Sequence, residues 1–205
     1  MTGDAITEAS SRVYEQLRDG DLDYATLLDL VIVLDDHGVS TPATREFLES
    51  DPAPLCQTAD LSRVAEAVLR ETSFEPPFEL EPGWWHTLEE ALAVVERDAR
   101  ATGVTGTLRL NVPDWDPQGY ARVEFRGAYQ GNGMAPSTGS DPVGALAEVA
   151  DAAQEVIVEM IWRAWPVCPE HDRGLWVAYQ DETVVWRCTY GGAHLVAAVG
   201  ELPSV

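Results

Sequence analysis

The chain has 205 residues and a mass of 22.4 kDa, a length that suits one medium domain or two small ones, and 45% of its residues are hydrophobic, enough for an ordinary core. Its 13 basic side chains are all arginine and stand against 35 acidic ones, which gives a net charge of -22. The absence of lysine excludes Schiff-base and pyridoxal chemistry, a Walker-type phosphate loop and a kinase-type site, because each of these needs an ε-amine.

The acidic charge also bears on partners. It argues against nucleic acid, because affinity for a phosphate backbone comes largely from cationic side chains. It favours a basic protein partner, although acidity can also serve solubility alone, and both interpretations stay open.

The N-terminal segment has no basic region followed by an apolar run, and no uninterrupted apolar stretch of about 18 residues follows. We therefore expect a cytoplasmic protein with no membrane partner. The absence of lysine beside abundant alanine, valine, arginine and glycine is typical of a high-GC bacterium.

Residues 1–72 predict a helical module. Apolar residues recur at helical spacing in three stretches, and Pro42 stands where a further helix would begin. The last of these helices is predicted from Leu61 to Glu71, with Asp60 as its N-cap. Residues 73–83 then contain three prolines and a glycine, which forbid both a helix and a central strand, so we place a linker there.

Residues 84–205 predict a second, mixed domain. Thr87 and Glu90 form a capping-box pattern for a helix that runs to about Arg100. Alternating apolar and polar residues then predict strands over 107–112 and 121–129, and the turn-forming segment between them favours an antiparallel hairpin.

A second helix and a second hairpin complete this domain. Asp141 is the predicted N-cap and Pro142 the first residue of a long helix that ends near Trp165. Strands predicted at 175–179 and 183–187 flank a short polar turn. The order α-β-β-α-β-β indicates an α+β domain with antiparallel hairpins, preceded by the helical module.

Two Cys-His pairs flank the second predicted hairpin. Cys168 and His171 precede it, and Cys188 and His194 follow it. If the turn centres near residue 181, the paired strands bring both pairs to the open end of the ribbon, where four Cys₂His₂ ligands could converge on a metal ion.

This tail resembles the knuckles of a zinc ribbon over residues 168–194, although zinc ribbons usually carry four cysteines. The resemblance implies a structural Zn²⁺ that supplies folding free energy and leaves no position open for water. Two alternatives remain: Cys168 and Cys188 are buried apolar residues beside exposed histidines, or they form a disulfide. The third cysteine, Cys56, has no place in this pattern.

An acidic stripe runs along the second predicted helix. Glu148, Asp151, Glu155 and Glu159 follow one another at three- and four-residue steps, so they share one helix face. The stripe is either a solvated face or the surface that binds a cationic partner. The glycine-rich loop before this helix matches no phosphate-binding motif and is predicted to be a connector.

Three functions follow from these patterns. The leading hypothesis is a non-catalytic acidic binding protein, such as an inhibitor, an immunity-like factor or an adaptor, that contacts a basic protein. The second is a small-molecule enzyme with a cleft near Trp84, Trp85 and His86, although the two tryptophans also suit core anchors. The third is a zinc-ribbon module that contacts the transcription machinery through protein, since residues 166–205 carry two arginines and five acids.

Overall fold

The computed structural model describes residues 2–50 and 58–204, and the chain divides into two compact units, Met1–Pro76 and Pro77–Val205. The described residues form six α-helices, a short 3-10 helix and two three-stranded antiparallel sheets. The predicted mixed class, with helices first and strands later, is confirmed. None of the helices in these described ranges is long and apolar enough to cross a membrane.

The first unit is helical. Its helices are α1 (Thr2–Asp19), α2 (Tyr24–Asp36), α3 (Pro42–Glu49) and α4 (Thr58–Glu71). Asp23 caps α2 through its side chain, and Thr41 and Thr44 form a capping box at α3. The predicted N-cap at Asp60 is wrong, because α4 begins at Thr58 and Asp60 lies inside its first turn. Cys56 lies outside the described residues.

The second unit opens with α5 (Pro82–Ala101), which starts within the segment predicted as a linker. A proline fits the first turn of a helix, where its missing N–H has no partner to lose. Thr87 is therefore an interior residue, and its hydroxyl donates to the carbonyl of Gly83 at 3.1 Å. The capping-box prediction at Thr87 is wrong.

The first sheet has the order β1-β2-β3, with β1 at Leu108–Asn111, β2 at Arg122–Phe125 and β3 at Ala128–Tyr129. The predicted hairpin of β1 and β2 is confirmed, with Leu108 opposite Phe125. The predicted strand 121–129 is in fact two strands. Arg126 and Gly127 both have positive φ, 54° and 81°, as a two-residue hairpin turn requires, and the chain reverses there.

The long helix α6 (Pro142–Ile161) begins as predicted, since the Asp141 carboxylate accepts hydrogen bonds from two backbone N–H groups. It ends earlier than predicted because Trp162 adopts a left-handed conformation, with φ 56° and ψ 35°. Helix α6 packs against α5, against the first sheet and against the second sheet, so it forms the centre of this unit's core.

The second sheet has the order β4-β5-β6, with β4 at Trp176–Gln180, β5 at Thr183–Cys188 and β6 at His194–Ala198. The predicted hairpin is confirmed: Asp181 and Glu182 form its two-residue turn, with φ of 48° and 63°. Strand β6 was not predicted, because its apolar residues do not alternate with polar ones. It pairs antiparallel with β5 and positions the end of the sheet that carries the Cys-His pairs.

Candidate metal centre

The first Cys-His pair lies in a tight loop between α6 and β4. The backbone N–H of Cys168 donates to the carbonyl of Arg173 at 2.7 Å, and the N–H of Asp172 donates to the carbonyl of Cys168 at 2.9 Å. An isolated β-bridge between Val167 and Gly174 closes the base of the loop. These bonds turn the chain back on itself, so that His171 returns to the sulfur of Cys168.

The second pair sits where β5 and β6 meet. Cys188 is the last residue of β5 and His194 the first residue of β6, and the two are directly paired across the strands. Gly191 and Gly192 turn the intervening loop with φ of 68° and 106°. The register of β6, which the sequence pattern did not show, therefore places His194 opposite Cys188.

The four side chains converge on one point. One ligand atom from each of Cys168, His171, Cys188 and His194 lies within 4.8 Å of all the others. The Cys168 Sγ is 3.6 Å from both the His171 Nδ1 and the His194 Nε2, and the Cys188 Sγ is 3.5 Å from the His171 Nδ1. In a tetrahedral zinc site with bonds of about 2.3 Å to sulfur and about 2.0 Å to nitrogen, such pairs are roughly 3.5 Å apart. The cluster could therefore hold a metal ion.

A backbone carbonyl orients one of the histidines. The Nδ1 of His194 lies 3.2 Å from the carbonyl oxygen of Gly192, and a carbonyl can only accept, so Nδ1 carries the proton and donates it. In the neutral ring, the Nε2 atom, which faces Cys168, then carries no proton and can bind a cation. Hydrogen bonds of this kind set the tautomer and ring orientation of histidine ligands in metal sites.

The ring of His171 is enclosed by the second loop. A Cβ on Gly191 would lie 2.7 Å from the His171 Nε2, so only glycine leaves room for the ring there. Tyr190 packs edge-on against His171 with ring centroids 5.5 Å apart, and the guanidinium of Arg173 lies 5.5 Å from the Tyr190 ring centre. Sequence reasoning missed Tyr190 and Arg173, because their roles arise only when the two loops come together.

The site is buried on its sulfur side. Cys168 is 1% exposed and Cys188 is fully buried, whereas both histidines are half-buried. No disulfide joins the two cysteines, which are free thiols here. The histidines contact the sulfurs directly, as the metal-ligand interpretation requires.

The two thiols differ in the direction of their pKa shifts. Burial alone raises the pKa of Cys168, but hydrogen bonds from the backbone N–H groups of Glu170 and His171 and from both histidine rings outweigh burial, and its pKa falls to about 6. Burial and the nearby Cys168 raise the pKa of Cys188. The Gly192 carbonyl and the Cys168 sulfur raise the pKa of His194. A divalent cation would supply the positive charge that lets both buried sulfurs ionise together.

The predicted acidic stripe is present on α6, and all four carboxylates are exposed. Three of them, Glu148, Asp151 and Glu155, line a groove whose opposite wall is the glycine-rich segment 130–134. The Glu155 carboxylate lies so close to Gly131 that a Cβ there would collide with it. Glu159 is not among the residues that line the groove.

The three residues suggested for an enzyme site, Trp84, Trp85 and His86, lie near the start of α5. Trp85 packs against the core and edge-on against Phe78, with ring centroids 5.0 Å apart. The backbone of Trp84 is in close contact with Gly139. His86 is exposed, with its Nε2 3.4 Å from Glu90 on the same helix face. The packing of Trp85 supports its interpretation as a core anchor.

Comparison with protein-family models, with curated proteins and with solved structures finds no match to this chain.

Proposed function

We propose that Cys168, His171, Cys188 and His194 bind Zn²⁺ as a structural ion. The observation that carries this proposal is the convergence of four ligand atoms within 4.8 Å, at sulfur-to-nitrogen distances suited to tetrahedral coordination. Two thiolates and two imidazoles are ligands that suit Zn²⁺, whereas the hard cations Mg²⁺ and Ca²⁺ take oxygen ligands.

A structural role follows from the closed ligand set. Four protein ligands complete a tetrahedral shell, so no position remains for the water or substrate that a catalytic zinc ion activates. The two sulfurs face the core, and only the histidine side of the site is partly exposed. The metal instead joins three segments: the loop 168–171, the end of β5 and the start of β6. Zinc would therefore contribute free energy to the folding of the C-terminal sheet.

The test is metal counting on the full chain. We expect native mass spectrometry of the zinc-loaded protein to show one zinc ion per chain, which a chelator removes. Cys56→Ser removes the third cysteine and serves as the matched control, so it should retain the metal. Cys188→Ser should lose it or bind it far more weakly. A wild-type chain that takes up no zinc, or a Cys56→Ser variant that loses it, would refute the assignment.

For the protein as a whole, we propose a non-catalytic acidic binding protein that contacts a basic protein partner. Supporting this are the net charge of -22 and the groove in which three carboxylates of the acidic stripe face the loop 130–134. Opposite charges across an interface speed association and add specificity. A guanidinium or ammonium group of the partner would enter this groove.

This second proposal is tested with an oligo-arginine peptide and two matched triple variants. One replaces Glu148, Asp151 and Glu155 by their amides. The other replaces three exposed acids of the first unit, Asp35, Asp36 and Glu49, and so removes the same charge elsewhere. We expect calorimetry at low salt to show a much larger loss of affinity for the first variant. Equal losses would mean that only the total charge matters.

A further inference from the structure

The two cysteines of the metal cluster are placed for a reaction with each other. Their sulfurs lie within 4.8 Å, and both contact the same nitrogen, the Nδ1 of His171, at 3.6 and 3.5 Å. Both thiols are free, and they stand on either side of the hairpin of β4 and β5. The arrangement that would bind two thiolates to one metal ion thus also places two oxidisable sulfurs side by side.

The local backbone favours a short movement of these sulfurs. A disulfide requires a sulfur-to-sulfur distance of about 2.0 Å, which is shorter than the separation of two sulfurs in a zinc tetrahedron, roughly 3.8 Å. Cys168 lies in a loop, and Cys188 is the terminal residue of its strand, followed by a loop that contains Gly191 and Gly192. Neither sulfur is held at the centre of a regular element, so rotation of the side chains with a small shift of these loops can close the gap.

We propose that the cluster is a redox-sensitive zinc switch, in which hydrogen peroxide converts Cys168 and Cys188 into a disulfide and releases the metal ion. This inference rests on the proposed zinc site. Peroxide is small enough to enter from the half-buried histidine side, whereas the two sulfurs face the core.

The reaction balances in two steps. One thiolate attacks a peroxide oxygen and the O–O bond breaks, which gives a sulfenic acid and a hydroxide that takes up a proton to become water. The second thiolate attacks the sulfenic sulfur, the S–S bond forms, and hydroxide leaves and is protonated. Two thiolates lose two electrons, one peroxide gains them, and two protons are consumed. The two histidines that remain are too few to retain Zn²⁺ tightly.

The adjacent second thiol makes the oxidation reversible. A sulfenic acid with no thiol partner is oxidised onward to sulfinic acid, which ordinary thiols do not reduce, whereas a disulfide is reduced by thiol exchange. Loss of the ion frees His171 from its ligand position, and with it the stack of Tyr190 and Arg173 that packs on its ring. The oxidised state therefore differs from the reduced state at the exposed rim of the site.

The experiment uses the full chain loaded with one equivalent of zinc. Peroxide is added in steps, and released zinc is followed with a chromogenic chelator. Tryptic peptides are then mapped without reduction. Because the chain has no lysine, cleavage after Arg163, Arg173 and Arg187 places Cys168 and Cys188 in separate peptides, apart from the one that contains Cys56.

We expect one zinc ion to be released for each disulfide formed, a single linked pair of the Cys168 and Cys188 peptides, and full recovery of zinc binding after dithiothreitol and fresh metal. Cys56→Ser should behave identically. Cys188→His keeps four potential ligands but lacks the thiol pair, and should show no release that dithiothreitol reverses. If that variant fails to bind zinc, peptide mapping of Cys56→Ser still decides the matter.

Three outcomes would overturn the proposed redox switch while leaving the zinc site intact. They are retention of zinc at a large excess of peroxide, a disulfide that involves Cys56, and sulfinic acid as the first product. Failure of the untreated protein to bind zinc would instead overturn the proposed function. The two failures are thus separated by the measurement made before peroxide is added.

Discussion

The indole N–H of Trp186 donates a hydrogen bond of 2.6 Å to the Oδ2 atom of Asp98, and both side chains are fully buried. The same carboxylate accepts from the backbone N–H groups of Gly200 at 2.6 Å and Leu202 at 2.8 Å. One acid on α5 therefore anchors both β5 and the segment that follows β6. Trp186 precedes Cys188 by two residues on β5, so this anchor and the metal cluster hold the same strand.

Replacing Asp98 should destabilise the second unit strongly. Asp98→Ala leaves three donors without their acceptor, two of them buried, and we expect the free energy of unfolding to fall by about 3 kcal/mol or more. All seven tryptophans lie in this unit, so denaturation followed by tryptophan fluorescence reports on it alone. Asp36→Asn, an exposed acid of the first unit, is the control and should leave the transition unchanged. A shift below about 0.5 kcal/mol for Asp98→Ala would contradict the anchor.

Removal of zinc should weaken the same unit. A ligand that binds only the folded state stabilises it by about 4 kcal/mol at a free concentration a thousand times its Kd. We expect a chelator to lower the denaturant midpoint seen by tryptophan fluorescence, and added zinc to restore it. The Cys188→Ser variant should start from the lower midpoint and respond to neither. An unchanged wild-type midpoint would show that the metal contributes nothing to folding.

The two glycines of the second loop should differ in their effect on zinc binding. Gly191→Ala places a methyl group against the His171 ring at a backbone φ of 68°, whereas Gly192→Ala, at φ 106°, meets no atom within 4 Å. Both variants carry backbone strain, but only the first displaces a ligand. We expect Gly191→Ala to lose at least about tenfold more zinc affinity, or 1.4 kcal/mol, in a competition titration. Equal losses would assign the effect to strain alone.

A buried ion pair should add an acid-sensitive contribution to stability. The Asp116 carboxylate bonds the Arg122 guanidinium at 2.9 Å, and the two side chains are 3% and 12% exposed. Burial raises the pKa of Asp116, but the backbone N–H of Gln118 and the Arg122 guanidinium outweigh burial and lower the pKa below its ordinary value. The folded state thus binds this proton less readily than the unfolded state, so the contribution is present above the unfolded pKa of about 3.9 and is lost as the pH falls through the lower folded value.

The measurement is the free energy of unfolding against pH for the wild type and Asp116→Asn, both with a chelator so that acid release of metal does not interfere. We expect the difference between them to be constant near neutral pH and to shrink in acid. A difference that grows in acid would have the wrong sign for a lowered pKa.

Sequence patterns predicted helix starts and turns correctly where neighbouring residues alone determine the backbone conformation. Asp141 followed by Pro142 predicted the start of α6, and the polar turn at 181–182 predicted the hairpin of β4 and β5. The same kind of signal failed at Thr87, where a capping-box pattern lies inside a helix, and at Arg126, where nothing in an alternating strand pattern marks a residue that takes positive φ. At Thr87 the helix has already begun at Pro82, and at Arg126 the chain reverses in a two-residue turn with Gly127.

Residue spacing alone shows that two Cys-His pairs flank a hairpin, and hairpin geometry is enough to predict that they meet, because paired strands bring their two ends together. Which atoms face the centre of the cluster depends on how the strands and loops pack in three dimensions. The register of β6 sets His194 opposite Cys188, the Gly192 carbonyl selects its Nε2, and the acidic stripe becomes part of a groove only beside the loop 130–134. These contacts form only when distant segments fold together, so the spacing of residues along the chain cannot predict them.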